Sequence, residues 1–173
     1  MTMATRPSLV QLDDDVEFFA FSDSVEPLGP MPSLAANVPL LAQGEYRPVA
    51  KLARGDLVET MEHGPVPVLA HVSRTVPARG SFRPVRLRAP YFGLQKDILV
   101  APDQKLVVSK PMVEYMFGCE AVLVPACHLV NGTSAIWQDL ALTTTYHQLV
   151  LPEHETLIVA MVRHAIGIRN LND

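Results

Sequence analysis

Long hydrophobic runs, a cysteine framework and a strong charge of either sign are all missing from this 173-residue chain. Each absence removes a class of protein. No segment approaches the roughly 18 uninterrupted apolar residues of a membrane-spanning helix, so no membrane span is expected. Cys119 and Cys127 are too few for a disulfide framework and fit no paired metal-knuckle spacing. They read as two small buried side chains of a reducing compartment, and neither a cofactor nor a metal is expected. Charged residues make up only 18%, below the roughly 25% of an average soluble domain. Fourteen Lys and Arg against 18 Asp and Glu leave a net charge of −4. Nucleic acid and anionic membranes need a concentrated positive field, so neither is an expected partner. The first residues lack the basic, apolar and small-residue sections of a secretory signal and run instead into Asp13-Asp14-Asp15, so a cytoplasmic protein is expected.

Helical periodicity is also scarce. Fifteen prolines weigh against long helices, because proline removes a donor and clashes with the preceding turn. What is present is a hydrophobic share of 49%, enough for one core, in a length that suits one domain and an arm. From residue 38 onward, short extended runs alternate with turns every 8–12 residues or so. Runs are predicted at 48–52, 57–61, 66–72, 85–88, 98–100, 106–108, 121–124, 148–151 and 156–160. Arg54-Gly55-Asp56, His63-Gly64 and Asn131-Gly132 supply turns, and 127–130 reads as a single helical turn. Rich in Val, Thr and Leu, this pattern predicts an all-β fold of short antiparallel strands, a sandwich or a barrel-like form.

Residues 1–32 differ in character. They hold the acidic patch, the aromatic cluster Phe18-Phe19-Ala20-Phe21, and then Pro27, Gly29, Pro30 and Pro32, which suit an extended connector. A free tail would leave Phe18, Phe19 and Phe21 in water, so the cluster is expected to act as a binding element, docked on the later domain or on a partner.

Several blocks, in order, carry a family resemblance. The first is Tyr46-Arg47-Pro48-Val49-Ala50-Lys51-Leu52-Ala53-Arg54-Gly55-Asp56-Leu57-Val58, completed by Thr60. The second is Pro84-Val85-Arg86-Leu87-Arg88-Ala89, followed by Lys96-Asp97-Ile98-Leu99-Val100-Ala101-Pro102-Asp103-Gln104-Lys105-Leu106-Val107-Val108. The third and most specific is Val122-Leu123-Val124-Pro125-Ala126-Cys127-His128-Leu129-Val130-Asn131-Gly132. The fourth is Tyr146-His147-Gln148-Leu149-Val150-Leu151-Pro152-Glu153-His154-Glu155. Together they resemble the Hint (hedgehog/intein) domain in its compact alphaproteobacterial form. The resemblance implies a β-rich, horseshoe-like fold. It divides the chain into an arm at 1–32, a Hint-like domain at 33–165 and a tail at 166–173.

The resemblance also implies an activity. Active members carry a Cys, less often a Ser, as first residue of the domain. Its side chain attacks the preceding peptide carbonyl, and a Thr/Ser-x-x-His block protonates the leaving nitrogen and steadies the oxyanion. Here the nucleophile position falls on Ser33. The glycine of the turn that follows becomes Asn37, which tolerates the left-handed conformation. The Ser/Thr of the block is Ala101 and its His is Gln104. The His of the last block aligns with Gln148, and His147 lies one place out of phase, on the other face of a strand. Asp97, His128 and His154 survive. Ser33, Asp97, Gln104 and His154 are therefore the candidate catalytic positions, and His128 with the three phenylalanines the candidate binding positions.

Each candidate also has a plainer reading: a turn serine at Ser33, a turn or ion-pair role for Asp97, and a backbone-bonded turn residue at His154. Gln104 can donate a hydrogen bond but cannot move a proton at neutral pH. The expected function is a Hint-fold binding or structural module that has lost autoprocessing, with a protein or a second copy of itself as partner. The alternative is a self-cleaving domain that releases residues 1–32 by an N-to-O acyl shift at Ser33.

Overall fold

The computed structural model describes residues 32–108 and 121–159, together with the backbone of 167–169. Strand β1 (Leu34–Ala35) leads by a short turn into a hairpin of β2 (Pro39–Ala42) and β3 (Glu45–Pro48). The two-residue loop Gln43-Gly44 has φ of 53° and 85°. A tight hairpin whose turn matches the strand twist requires such positive values at both central positions, and Gly44 supplies one without steric cost. Asn37, which could tolerate the left-handed conformation, does not take it: among the described residues Gln43 and Phe92 are the positive-φ residues besides glycine. Its turn closes instead through Val38 N–H donating to Ala35 O at 3.1 Å.

The strand expected at 48–52 is a 3₁₀ turn, Val49–Lys51. Val49 N–H donates to Val38 O and Ala50 N–H to Ala36 O, which bends the backbone around the end of the first strand. After the turn at Gly55 come β4 (Leu57–Thr60), β5 (Gly64–Pro67) and β6 (Ala70–Pro77). The single run expected over 66–72 is thus broken. Val68 N–H donates to Asp56 O and Leu69 N–H to Val150 O, so the chain changes sheets at these two residues.

The remaining strands are β7 (Val85–Leu87), β8 (Ile98–Val100), β9 (Lys105–Val108), β10 (Val122–Pro125), β11 (Ala135–Trp137), β12 (Thr143–Val150), β13 (Thr156–Ile158) and β14 (Gly167–Arg169). A 3₁₀ turn at Ala126–Leu129 matches the helical turn read from the sequence. At the Asn-Gly turn, Asn131 Oδ1 accepts from the N–H of Thr133 and of Ser134, both at 2.8 Å, with Gly132 at φ 80°.

Two antiparallel sheets result. One has six strands in the order β11-β7-β8-β1-β12-β6. The other has eight, β10-β9-β14-β13-β4-β2-β3 with β5 added on β4. The all-β expectation holds. The second sheet takes in 167–169, inside the segment expected as a tail, through pairing of β14 with β9 and β13. Period-two alternation sends Leu40 and Ala42 of β2, Val85 and Leu87 of β7, and Ile98 and Val100 of β8 into one core. Burial of such aliphatic side chains stabilises the fold by about 1.5–3 kcal/mol each. A smaller cluster joins Val76, Ala101 and Tyr146 with Phe82. There the Tyr146 hydroxyl donates to Phe82 O at 2.8 Å, and burial raises the phenol well above its usual range. No helix among the described residues is long and apolar enough to cross a membrane.

Candidate functional site around Ser33

Ser33 immediately precedes β1, which is clamped between two strands. Leu34 pairs with His147 of β12 on one side and with Val100 of β8 on the other. One further step along the register sets Ser33 between Gln148 and Ala101. On the second side the step is closed by a hydrogen bond from Ala101 N–H to Ser33 O at 3.0 Å. Residues 101–104 then form a turn, with Gln104 N–H donating to Ala101 O at 3.0 Å. The turn is pinned from below by Ala126 N–H on Gln104 O and Cys127 N–H on Pro102 O. Four positions from three distant stretches of the sequence are thereby gathered: Ser33, Ala101 with Gln104, and Gln148. They are the positions to which the sequence resemblance assigned the nucleophile, the Ser/Thr and His of the middle block, and the His of the last.

Ser33 and Gln104 are buried, 6% and 2% exposed. With Pro32, Leu34, His147, Gln148, Leu149 and Leu157 they line a cavity of about 10 Å³. That is room for about one water molecule. The chemistry such a site could perform is attack of Ser33 Oγ on the Pro32 carbonyl carbon. The Ser33 nitrogen would leave with a proton, and an ester would replace the amide. Neither Gln104 nor Gln148 can supply that proton, and the Ala101 side chain offers no polar atom. The Gln104 amide is itself engaged, donating to Lys105 O at 3.1 Å.

His147 is the titratable group nearest in register. The residue is 8% exposed, and its Nδ1 stands 3.0 Å from Nε2 of His71 on the neighbouring strand β6. His71 Nδ1 lies 2.6 Å from Leu52 O. A carbonyl only accepts, so His71 Nδ1 carries a proton and, in the neutral ring, its Nε2 is the acceptor. His147 Nδ1–H must then be the donor, which leaves the lone pair of His147 on Nε2. Burial first, and the neighbouring His71 second, push the His147 imidazole below its ordinary pKa. In that arrangement the contact fixes the tautomer of each ring. No local sequence signal could have announced it, because its members lie 76 residues apart.

The other candidates stand elsewhere. Asp97 Oδ1 accepts from Ala89 N–H at 2.9 Å, and its Oδ2 lies 3.7 Å from Arg86 Nη1. It occupies the far end of β8 from Ser33, in the turn and ion-pair role that was its plainer reading. His154 is exposed in the loop between β12 and β13, and His128 is exposed on the 3₁₀ turn Ala126–Leu129. None of these three lines the Ser33 cavity. Cys127 is a half-buried free thiol. Phe18, Phe19, Phe21 and Cys119 lie outside the described residues.

A second pairing escaped the sequence reading. His63 Nδ1 meets Glu155 Oε1 at 2.8 Å across 92 residues. The Glu155 hydrogen bond, with its charge, raises the His63 pKa.

Two antiparallel sheets thus set Ser33 at the lip of β1, between the middle and last blocks of the family resemblance, as a Hint-type fold would. Comparison with known proteins agrees. The Hint domain family model matches residues 32–164, and the chain belongs to the Hint domain family. By structure it is similar to a bacterial intein-like domain from Clostridium thermocellum, with a TM-score of 0.59 and 13% identity, covering 81% of this chain and 99% of that one. A splice-inactive variant of the AceL NrdHF class 3 split intein gives 0.55 and 9% over 83% and 100% of the two chains. The MchDnaB-1 intein gives 0.51 and 12% over 79% and 99%. At such identities the likeness is one of fold. No curated protein matches this chain by sequence.

Proposed function

We propose that this chain is a Hint domain that keeps its upstream segment attached and serves as a binding or structural module. One observation supports the reading: the register brings Ala101, Gln104 and Gln148, the residues the resemblance aligns with catalytic positions, to Ser33, and none of their side chains can transfer a proton. General acid–base help is worth about 10²–10⁴-fold and an oxyanion donor about 10²–10³-fold. A serine hydroxyl without either is too weak a nucleophile to cut a peptide on a cellular timescale. For the binding role, support comes from an open cleft of about 280 Å³ lined by Pro39, Tyr46, Pro48, Gln95, Lys96 and Ile98. Further support comes from the β11–β12 loop, which holds Leu140 and Leu142 at 84% and 92% exposure. A surface of this kind suits a protein partner or a second copy of the chain.

One observation favours the self-cleaving alternative: a neutral imidazole, His147, shares the cavity wall with Ser33. Intact mass of the full chain, fresh and after a day in hydroxylamine, separates the two readings, because hydroxylamine cuts the ester that an acyl shift would form. The expected result is one species of 19.0 kDa that stays whole. Loss of residues 1–32, abolished by Ser33→Ala, would sink the binding-module reading and make Ser33 a working nucleophile.

A further inference from the structure

Away from the Ser33 cavity, the β4–β5 turn meets the β12–β13 loop. It brings together His63, Glu153 and Glu155, whose ligating atoms all lie within 4.8 Å of one another. An exposed acidic group beside a histidine would carry little weight, but Glu155 is not exposed. Its side chain is 2% accessible. One carboxylate oxygen bonds His63, while the other, Oε2, is buried with no hydrogen-bond partner. A buried carboxylate oxygen left in this state is costly, since burying a charge is tolerated when its remaining lone pairs are met by a donor or a metal. The local charge is lopsided as well. Glu62, Glu153 and Glu155 all act on the single imidazole.

The two loops are also held in place. Glu62 takes both the N–H and the hydroxyl of Thr156, at 2.8 and 2.6 Å. Met61 N–H donates to Thr156 O at 2.9 Å. Thr60 Oγ1 accepts from His63 N–H at 3.1 Å and donates to Gly64 O at 2.8 Å. The residues flanking the cluster thus tie both loops to one frame, as the outer partners of a metal site do.

From this geometry we propose that His63, Glu153 and Glu155 form a binding site for a divalent transition ion, of which zinc is the natural test. One imidazole nitrogen and two carboxylate oxygens are three protein ligands of the kind zinc accepts, with a fourth position left to water. The ion would meet the orphan oxygen of Glu155 and replace the proton that His63 now shares with it. The sequence pointed away from metal because it offers no paired spacing. The ligands come from two loops some ninety residues apart, and only the pairing of β13 with β4 brings them together. This site stands apart from the reading of Ser33 and does not depend on it.

The test is titration of the full chain with zinc chloride at pH 7.5, followed by calorimetry and by thermal melts. His63→Gln and Glu153→Gln serve as variants, both at exposed positions so that the fold is kept. One zinc per chain is expected, with a raised melting temperature. Each variant should weaken binding by at least about tenfold, since even losing an outer partner of a metal ligand costs about 10–100-fold. Absence of binding to the unaltered chain overturns the proposal. So does zinc binding that is undiminished in His63→Gln, which would put the ion on other histidines such as His128 or His154.

Discussion

Replacing His71 by Ala tests whether the buried imidazole pair is a structural element of the sheet. The substitution removes the acceptor for His147 Nδ1–H and the donor for Leu52 O at once. Both orphans sit in covered surroundings, since His147 is 8% and Leu52 is 2% exposed. Each buried group deprived of its partner costs about 1–3 kcal/mol. His71 itself is only half-buried, so water can enter the vacated space and meet one of them. We expect a loss of about 2–4 kcal/mol in urea unfolding, a large share of the 5–15 kcal/mol typical of a domain. A loss under about 1 kcal/mol would refute the reading of the pair as mutually satisfying.

The same pair sets a direction with pH. The unfolded chain takes a proton at His147 near its ordinary 6.5, whereas the folded chain takes it only at a lower pH. Between those values the unfolded state carries more protons, so stability rises with pH. As pH falls below about 6.5, stability should therefore decline, and the decline should level off once the folded-state pKa has been passed. The comparison belongs in a His63→Gln background, because Glu155 raises the His63 pKa and gives a trend of opposite sign at higher pH. A melting profile flat between pH 7 and 5 in that background would refute the assignment.

Two other outcomes follow from named residues. Gly44→Ala should cost about 1–2 kcal/mol in urea melts, because its φ of 85° disfavours any Cβ while nothing lies within 4 Å to clash with one; Gly44→Asn should cost clearly less, and equal costs would show that the turn is not what selects glycine. A chain carrying Ser33→Cys, Ala101→Ser and Gln104→His regains a thiol, a hydroxyl donor and an imidazole at the gathered positions. Cleavage before residue 33, read by intact mass in hydroxylamine, should then rise by about 10⁴–10⁷-fold, and a folded triple variant that stays whole would show that these three groups are not what the site lacks.

Much of this organisation was legible in the residues because it is local. The runs at 85–88 and 98–100, the Arg54-Gly55-Asp56 turn, the Asn131 turn and the short helical turn after Pro125 each depend on a few neighbours, and each is found within a residue of its expected place. The failures share a cause. Residues 48–52 have a strand's composition but become a 3₁₀ turn, because Val49 and Ala50 find their acceptors in residues 38 and 36. Residues 66–72 read as one run but split where Asp56 and Val150 take the N–H groups of Val68 and Leu69. Strand β12 begins five residues before the predicted one, at Thr143, since the TTTYH stretch is held by its pairing with β6. The same distinction governs the sites. Period two predicts that Gln148 and His147 face opposite ways; the register with β1 sets Gln148 beside Ser33 and His147 beside Leu34, yet both residues line the Ser33 cavity. It could not tell that His147 would find His71, or that His63 would find Glu155. Alternation orients a side chain relative to its own strand. What it meets is decided by the register of the next strand, and register is set by turns and crossovers distant in the chain.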